Sequence, residues 1–252
     1  MRGSDDLARA GRLVAAARRG VAFTGAGISA ESGIRTFRGQ DGLWRQYDPY
    51  QVASIAGFQR DPSVYWTVAS RNWPMFQRAR PNAGHLALAA MEAAGHLAGV
   101  VTQNTDGLHR DAGTRRLIEL HGNGRSVRCL DCEAAEARPD VQARLERELP
   151  PRCLVCGGEH LKPEVVFFGE ALPSAAMMEA FRMARECDLM LVVGSSLQVY
   201  PAADVPEVAV EHDAPLVIVN DEPTPLDVAA TVVIRGRSGE VLPEIERLSR
   251  RT

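Results

Sequence analysis

Four cysteines occur at the spacing of a metal site. Cys129 and Cys132 form one Cys-x-x-Cys pair, and Cys153 and Cys156 form a second pair later in the chain. Two such pairs can hold four thiolates in a tetrahedron around Zn²⁺. Because four thiolates leave no open coordination position, the sequence predicts a structural zinc rather than a catalytic one. Disulfides and a thioredoxin-like redox pair are disfavoured, since the expected location is cytoplasmic and neither pair opens a helix of a thioredoxin-like unit.

A glycine-rich turn follows the first predicted strand, Val21–Thr24. The pattern Gly25-x-Gly27-x-x-Ala30 fits dinucleotide-binding turns, in which small residues let the backbone approach a phosphate or pyrophosphate at a helix N-terminus. A tight turn that binds nothing is the alternative interpretation. The acidic residue that dehydrogenases carry about 20 residues later, at the end of the next strand, is missing. The turn therefore indicates a nucleotide site and disfavours an ordinary dehydrogenase.

Polar side chains follow several of the other predicted strands. Ligands of parallel α/β sheets bind at the carboxyl ends of the strands, so these side chains are candidate binding groups. Amide and carboxylate groups can hold a ribose or a carboxamide, and a Gly-Ser-Ser turn ahead of a predicted helix can hold a second phosphate. The residues are Gln103, Asn104 and Asp106 after one strand, Gly194, Ser195 and Ser196 after another, and Asn220 with Asp221 after a third.

His121 is the one histidine at the end of a predicted strand, and Gly122 follows it. An imidazole titrates near neutral pH and can remove a proton from a substrate hydroxyl. A histidine that merely packs in the structure is the alternative. The position at a strand end favours a general base, and the other histidines are interpreted as structural.

Short apolar segments alternate with amphipathic ones along most of the chain. Continuous apolar runs suit strands of a parallel sheet that is covered on both faces. The alternation predicts a doubly wound α/β fold. The predicted strands are Val21–Thr24, Val100–Gln103, Leu117–His121, Glu164–Phe168, Leu189–Val193, Leu216–Asn220 and Thr231–Ile234; the predicted helices are His85–Ala94, Ser174–Glu186, Ala202–His212, Val241–Leu248 and an N-terminal helix that opens at Ser4 and stops at Gly20.

Two segments interrupt this alternation. Residues 43–80 contain most of the aromatic side chains, and residues 123–162 contain the four paired cysteines. The first segment is interpreted either as a small helical cap with its own core or as an apolar lid over a substrate channel. The second is interpreted as the zinc-binding insertion.

The composition excludes several classes of protein. The 252 residues include 29 basic and 32 acidic side chains, so no strong basic field indicates a direct nucleic-acid partner. No apolar run approaches the roughly 20 residues of a membrane span. The start of the chain reads as an amphipathic helix rather than a signal peptide. A cytoplasmic protein without a membrane partner is therefore expected.

Taken together and in order, these motifs resemble the sirtuins, which are NAD-dependent protein-lysine deacylases. The resemblance implies NAD as co-substrate, one structural Zn²⁺, and acyl-lysine side chains of proteins as partners. It also implies a Rossmann-like domain from residues 1–42, 81–122 and 163–252, a helical module at 43–80 and a zinc module at 123–162. The matching stretches are Gly25–Ser29, Ser32–Ile34, Phe37–Gly39, Thr102–Asn104 with Asp106, His121-Gly122, the two Cys pairs, Pro163 with Val165–Glu170, Gly194–Leu197, Val199–Ala202 and Val219-Asn220.

The resemblance assigns roles by position. NAD would contact the loop with Gly25, Ala26, Gly27, Phe37 and Arg38, and also Gln103, Asn104, Asp106, Gly194, Ser195, Ser196 and Asn220. Asn104 and His121 would be catalytic, with His121 accepting a proton from a ribose hydroxyl that then takes up the acyl group. Val166 and Phe168 would pair with the substrate peptide as an added strand. Nicotinamide and O-acyl-ADP-ribose would leave as products.

Departures from the family pattern limit the detail. Thr105 stands where an aliphatic β-branched residue is usual, and Arg35 replaces a frequent proline. Members that remove succinyl groups carry Tyr-x-x-Arg, whose arginine pairs with a carboxylate, and here Ala69 and Asn72 occupy those positions. Neutral acyl groups, acetyl or longer, are therefore expected. Protein ADP-ribosylation, a nucleic-acid-binding zinc ribbon and a hydride-transfer enzyme are the competing hypotheses.

Overall fold

A computed structural model describes residues 2–36 and 42–250. The strands are β1 (Gly20–Thr24), β2 (Leu97–Thr102), β3 (Leu117–Glu119), β4 (Gly122–Cys129), β5 (Ala135–Ala137), β6 (Leu161–Val165), β7 (Leu189–Val193), β8 (Leu216–Val219) and β9 (Val232–Ile234). The α-helices are α1 (Arg2–Ala16), α2 (Pro49–Val52), α3 (Ile55–Arg60), α4 (Pro62–Arg78), α5 (Ala83–Ala93), α6 (Leu108–Asp111), α7 (Arg138–Arg144), α8 (Ser174–Glu186), α9 (Asp204–Glu211) and α10 (Ser238–Ser249).

The larger sheet is parallel throughout, with the strand order β3-β2-β1-β7-β8-β9. Strands β1, β2 and β3 form one half of the sheet, in order outward from its centre, and β7, β8 and β9 form the other half in the same way. Every residue of β1, β7 and β8 is buried, as expected for continuous apolar strands covered on both faces. The doubly wound α/β fold is thereby confirmed, and the strand order reverses between β1 and β7, where such sheets bind ligands.

Helices cover the two faces of this sheet. Alternate side chains of each strand point to opposite faces, so Ala22 packs with α1, α5 and α10, whereas Phe23 packs with α8 and α9. Gly20 begins β1 and does not stop α1, because α1 already ends at Ala16. The core thus fixes the positions of the strand ends that carry the polar residues.

The smaller sheet is antiparallel, with the order β5-β4-β6. The predicted strand Glu164–Phe168 is wrong in its bounds: the observed strand is Leu161–Val165, and it pairs with β4 instead of joining the parallel sheet. The division of the chain into a Rossmann-like domain and two modules stays a prediction, and the small sheet spans residues 122–165.

The helical segment and the small sheet share one hydrophobic core. Phe58 of α3 and Trp66 of α4 are buried in the same cluster as Val127 of β4 and Leu161 of β6. The Nε1–H of Trp66 donates to the backbone carbonyl of Leu161 at 3.0 Å. The aromatic segment is therefore not a cap with a core of its own. Among the described residues, no helix has the length and apolar character to cross a membrane.

Candidate active site

A cleft of about 1680 Å³ lies where the carboxyl ends of the parallel strands meet the helical segment and the small sheet. The structure brings nearly all of the residues predicted to bind NAD or substrate to this cleft. Phe37 and Arg38 were predicted to contact NAD and lie outside the described residues. The predicted residues that line the cleft are Gly25, Ala26, Gly27, Gln103, Asn104, Asp106, His121, Val166, Phe168, Gly194, Ser195, Ser196 and Asn220.

Two glycine-containing turns pack directly against each other at the reversal point of the sheet. The backbone N–H of Gly27 donates to the carbonyl of Gly194 at 2.8 Å. A Cβ on Gly25 would lie 2.8 Å from the oxygen of Gly194, and a Cβ on Gly27 would lie 2.7 Å from its Cα. Gly194 itself has a φ of 59°, which favours glycine. These small residues therefore let the two turns approach each other closely. They also let a ligand approach the backbone of both turns.

The helices that were predicted to follow these turns differ from expectation. The segment after Gly25 is a short 3₁₀ helix, Ala26–Ser32, instead of an α-helix. Ser195 and Ser196 do not lie directly before a helix, because α9 begins only at Asp204. The two turns therefore do not open long helices, and the expected phosphate site at a long helix N-terminus is not formed by them; their residues line the cleft as two packed turns.

Gln103 links the two turns to His121. Its side-chain Nε2 donates to Ser195 Oγ at 2.8 Å, and its backbone N–H donates to the carbonyl of Thr24 at 2.9 Å. Its own carbonyl oxygen lies 2.9 Å from Nδ1 of His121. The strand end therefore fixes Gln103, and Gln103 in turn orients both a serine and an imidazole on the cleft wall.

His121 has the geometry of a neutral general base. Nδ1 faces a carbonyl, which can only accept, so Nδ1 carries the hydrogen and Nε2 holds the free lone pair. Burial lowers the pKa of His121 below its ordinary value of 6.5, since the charged form loses solvation, and the hydrogen bond to Gln103 opposes this only in part. The backbone carbonyl of His121 also accepts the N–H of Val166 at 2.8 Å, which ties the histidine to the predicted substrate segment.

Asn104 and Asp106 meet on the hydroxyl of Ser29, to which the sequence analysis assigned no role. Ser29 donates to Asp106 Oδ2 at 2.7 Å, and the amide of Asn104 donates to Ser29 Oγ and to the carbonyl of Gly25, each at 3.1 Å. Burial raises the pKa of Asp106 above 3.8, although hydrogen bonds from Leu108 and Ser29 favour its charged form. This trio forms a polar floor that can hold an amide-bearing ring.

Two buried histidines support that floor. Their ring centroids lie 4.8 Å apart, His85 Nε2 is 3.4 Å from Ser29 Oγ, and His109 Nε2 is 2.9 Å from Thr24 Oγ1. Desolvation lowers the pKa of His85 to about 4 and that of His109 to about 3, so both are neutral at pH 7. The interpretation of these histidines as structural agrees with their burial, although neither their mutual contact nor the contact with Ser29 was predicted.

Asn220 lies at the end of β8 and uses its side chain locally. The side-chain amide of Asn220 donates to the backbone carbonyl of Glu222 at 2.7 Å, and the backbone carbonyl of Asn220 accepts from Arg235 at 3.2 Å. Asn220 therefore lines the cleft from a turn that these hydrogen bonds hold in place. Its amide nitrogen would have to break the hydrogen bond to Glu222 before it could donate to a ribose.

The predicted peptide strand needs a correction at Phe168. The backbone N–H of Phe168 donates to Ala53 at 2.8 Å, and its carbonyl accepts from Ile55 at 3.0 Å. These bonds join Phe168 to the helical segment, so its main chain is already paired within the protein. The Phe168 side chain lies 5.4 Å from Tyr50 and 6.2 Å from Trp44, between ring centroids, and forms part of the cleft wall.

The part of the wall formed by α4 and α7 combines aromatic rings with the arginine Arg138. Tyr65, Ala69, Asn72 and Trp73 of α4 line the cleft, and Ala69 and Asn72 are the residues that replace the Tyr-x-x-Arg pattern. Arg138 of α7 lines the same cleft and was missed by the sequence analysis. Nothing in its local sequence marks it, because its position depends on how α7 packs against α4.

The four paired cysteines form a cluster outside the cleft lining. The Sγ atoms of Cys129 and Cys156 are 3.6 Å apart, as are those of Cys132 and Cys153, and all four lie within 4.8 Å of one another. A tetrahedral zinc with Zn–S bonds of about 2.3 Å needs sulfurs roughly 3.8 Å apart, so the donor set fits the ion. Zinc binds cysteines as thiolates; the backbone N–H of Cys156 lowers the pKa of Cys153 to about 7, whereas burial raises the pKa of Cys129, so the fit rests on the positions of the four sulfurs.

Comparisons with known proteins agree with this geometry. A sequence profile of the Sir2 family matches residues 25–201. The NAD-dependent protein deacylase 2 of Archaeoglobus fulgidus is 47% identical over 241 residues, covering 96% of this chain and 95% of that protein.

Two solved structures extend the comparison to the fold. One, described as "Structural Basis for the Mechanism and Regulation of Sir2 Enzymes", aligns with a TM-score of 0.93 at 46% identity and covers 98% of this chain and 99% of its own. The other is Sir2Af2 bound to a myristoylated histone peptide, with a TM-score of 0.85, 39% identity and 98% coverage of both chains.

Proposed function

The chain belongs to the Sir2 family and is an NAD-dependent protein-lysine deacylase, and we propose that His121, Asn104 and the two packed turns carry its chemistry. The observation that carries this proposal is the orientation of His121. Its Nδ1 is engaged by Gln103, its Nε2 is free to accept a proton, and its low pKa keeps it neutral at pH 7.

The residues present fit NAD. The first and second turns, with Gly25, Ala26, Gly27 and Gly194 to Ser196, would hold the phosphates, and Gln103 and Asn220 would contact the ribose groups. Asn104 and Asp106 would hold the carboxamide of nicotinamide above the floor that Ser29 supports. When bound, NAD supplies a ribose that loses nicotinamide and takes up the acyl group.

His121 contributes a proton acceptor beside that ribose. A positioned general base accelerates a reaction typically by about 10²- to 10⁴-fold. The carbonyl of Gln103 holds the ring in one tautomer, and burial prevents protonation near pH 7. Asn104 directly follows Gln103 in the chain, and hydrogen bonds to Gly25 and Ser29 fix its side chain.

The acyl-lysine would enter along the segment 165–170. Val166 and Gly169 line the cleft, and their backbone groups are the proposed partners for an extended peptide, in place of Phe168. The aromatic side chains of Trp44 and Phe168 line the cleft and would exclude water from the acyl group. A related Sir2 protein binds a myristoylated histone peptide, and that supports an apolar acyl channel here. A cytoplasmic location and acetyl as the preferred group complete the proposal.

Mass spectrometry of an acetyl-lysine peptide, incubated with the purified protein with and without NAD, tests this function. We expect loss of the acetyl group only with NAD, together with equal amounts of nicotinamide and O-acetyl-ADP-ribose. Transfer of ADP-ribose onto protein without loss of the acyl group would favour ADP-ribosylation instead. An acyl group lost without NAD would contradict the proposal.

A further inference from the structure

Asn82 joins helix α5 to the first of the two packed turns. It is the residue directly before α5, and it is partly buried. The part of the chain that the structure describes contributes Ala26 and Gly27 to the lining of the cleft, but not Asn82. Asn82 would therefore act on a ligand in the cleft through the 3₁₀ helix Ala26–Ser32, with which it forms hydrogen bonds.

The side-chain amide of Asn82 bonds to both helices at once. Its Oδ1 accepts the backbone N–H groups of Gly84 at 2.9 Å and His85 at 3.4 Å. Its Nδ2 donates to the carbonyl of Ile28 at 2.7 Å and to Ser32 Oγ at 3.0 Å. Backbone N–H groups can only donate and a carbonyl can only accept, so these partners fix which end of the amide is oxygen and which is nitrogen.

A helix cap by itself requires only the acceptor half of this amide. Serine, threonine, aspartate and asparagine all cap helices by accepting a backbone N–H. Helices α2, α3 and α4 are capped in this way by Asp48, Ser54 and Asp61. Of these residue types, asparagine alone adds two N–H donors to the acceptor oxygen. The cap of α5 therefore does not account for the donors that Asn82 directs at the 3₁₀ helix.

The 3₁₀ helix depends on support from outside itself. Such helices have poorer hydrogen-bond geometry than α-helices, and those longer than about four residues are uncommon. Glycines flank this one at both ends, Gly25 and Gly33, and a glycine has no side chain to cap it. Glu31 fastens the helix on another side by accepting the backbone N–H of Gly239 in α10 at 2.6 Å. The N-terminal turns of α5 and α10 thus both hold the segment that carries the first turn.

We propose that Asn82 is a positioning residue for NAD, whose two N–H donors hold the 3₁₀ helix so that the first turn and Ser29 face the cofactor correctly. This inference rests on the proposed function, which places the phosphates at the first turn and nicotinamide above the floor that Ser29 supports. Because Ser29 lies within the same 3₁₀ helix, a shift of that helix would disturb both contacts together. The proposed peptide segment pairs instead with β4 and with the helical segment, so its position should not change.

Three variants separate the donors of Asn82 from its cap. Asn82→Ser keeps an oxygen that can cap α5 and removes both donors. Asn82→Asp keeps the shape and the cap but turns a carboxylate oxygen toward the carbonyl of Ile28. Asn82→Ala removes the cap and the donors. Asp61→Ala is the matched control, because it removes the cap of α4, where Asp61 accepts the N–H of Ser63 at 3.0 Å.

Four measurements are made on each protein. Calorimetry gives the affinity for ADP-ribose without turnover, and steady-state kinetics give the KM for NAD and for an acetyl-lysine peptide separately. Thermal unfolding reports the loss of a helix cap. Hydrogen exchange followed by mass spectrometry reports how firmly residues 26–32 are held in the absence of any ligand.

We expect Asn82→Ser to weaken ADP-ribose binding and to raise the KM for NAD by about 3- to 10-fold, as for the loss of one or two hydrogen bonds. The peptide KM should stay within about twofold, and hydrogen exchange in residues 26–32 should become faster. Asn82→Asp should be impaired at least as much, although it retains the cap. Asp61→Ala should lower the unfolding temperature and leave the affinity for ADP-ribose unchanged.

The outcomes distinguish this inference from the proposed function. Wild-type affinity for ADP-ribose in Asn82→Ser and Asn82→Asp, with only Asn82→Ala impaired, would show that Asn82 merely caps α5 and would overturn the inference. Equal changes in the KM of NAD and of the peptide would overturn it too. Absence of turnover with Asn82-dependent ADP-ribose binding intact would reject the deacylase function alone, and a wild type that does not bind ADP-ribose would overturn both.

Discussion

His121 shows how one backbone carbonyl sets the chemistry of a side chain. Gln103 fixes the tautomer, and burial lowers the pKa of the imidazole below 6.5, so the ring is neutral at pH 7. We therefore expect the acid limb of the pH profile of kcat/KM to have an apparent pKa below 6.5, since activity disappears only when His121 becomes protonated. Steady-state kinetics between pH 5 and pH 8 would check this, and an acid limb at or above 6.5 would contradict it.

His85 and His109 should make the stability of the protein sensitive to acid. Their folded-state pKa values, about 4 and about 3, lie below the unfolded value of 6.5. The unfolded chain therefore binds protons at these histidines that the folded chain does not bind. The free energy of unfolding falls as the pH drops below 6.5. When the pH falls from 7 to 5, each histidine should lower the free energy of unfolding by about 2 kcal/mol.

The variant His109→Gln isolates one of these contributions. Glutamine does not titrate, so the variant should lose about 2 kcal/mol less than wild type between pH 7 and pH 5 in urea denaturation. Carboxylates titrate alike in both proteins and cancel in the comparison. An unchanged pH dependence would show that His109 is not the group responsible.

Residues in contiguous motifs could be predicted from the sequence, because local patterns such as Gly-x-Gly or Cys-x-x-Cys imply both a turn and a ligand. Ser29, His85 and Arg138 gave no such local signal for the contacts they make. Ser29 depends on Asp106, which lies far along the chain, and Arg138 depends on aromatic rings of another helix. Contacts of this kind follow from tertiary packing and not from spacing.

The two packed turns at β1 and β7 require glycine for reasons of space. Gly27→Ala would place a Cβ 2.7 Å from the Cα of Gly194, where only backbone can yield. We expect a loss of about 1–3 kcal/mol of stability, as for overpacked sites, together with weaker NAD binding. In Gly236→Ala the new Cβ would meet only a side-chain methyl of Val241, at 3.1 Å, so this control should be affected less in thermal unfolding. Equal unfolding temperatures would contradict the argument.

Lys162, the single lysine of the sequence, braces the proposed substrate segment. Its Nζ lies 2.9 Å from Glu170 Oε2 and donates to the carbonyl of Val165 at 2.7 Å, while Glu170 accepts the N–H of Phe167 at 2.7 Å. The lysine is buried, so its removal leaves Glu170 without its cation. Lys162→Met should therefore raise the KM for the peptide severalfold and leave the KM for NAD nearly unchanged.

Kinetics with each substrate varied in turn would measure this difference. Lys162→Arg should restore part of the peptide KM, because it keeps the charge. Arg128→Met removes an exposed cation from the neighbouring strand β4 and is the matched control. Equal changes in both KM values would show a general loss of structure instead of a positioned peptide segment.

Strands of continuous apolar residues were the elements most readily predicted, and β7 has the predicted bounds Leu189–Val193. The segment 164–168 misled the prediction because its apolar run resembles a buried strand. In the structure the run starts within β6, which ends at Val165, and beyond it Phe167 is buried against Phe58 and Tyr65 while Phe168 pairs with residues next to α3, so tertiary packing and not a longer strand accounts for its second half.

At the scale of the whole molecule, the zinc cluster and the helical segment depend on one core. All three tryptophans, at positions 44, 66 and 73, lie in the helical segment, although the cysteines lie elsewhere. Zinc binding contributes on the order of 10 kcal/mol to folding in small modules. Removal of zinc with a strong chelator should therefore expose Trp66, which bonds to β6, and shift its emission to longer wavelength.

Fluorescence and released zinc would be followed together in that experiment. Readdition of zinc should reverse the shift while the cysteines stay reduced. If zinc left the protein without any change in tryptophan emission, the helical segment would fold independently of the small sheet, contrary to their shared core. The sequence indicated two segments that interrupt the α/β alternation, but their joint core could not be predicted because it joins side chains far apart in the chain.

The most direct test of the whole account compares His121→Ala with wild type in an NAD-dependent deacetylation assay. The variant should lose about 10²- to 10⁴-fold in the rate of deacetylated peptide formation, while it retains its zinc and its fold, because only the proton acceptor has been removed. Zinc content and circular dichroism would establish that the variant is intact. Unchanged turnover in a folded, zinc-loaded His121→Ala protein would contradict the account.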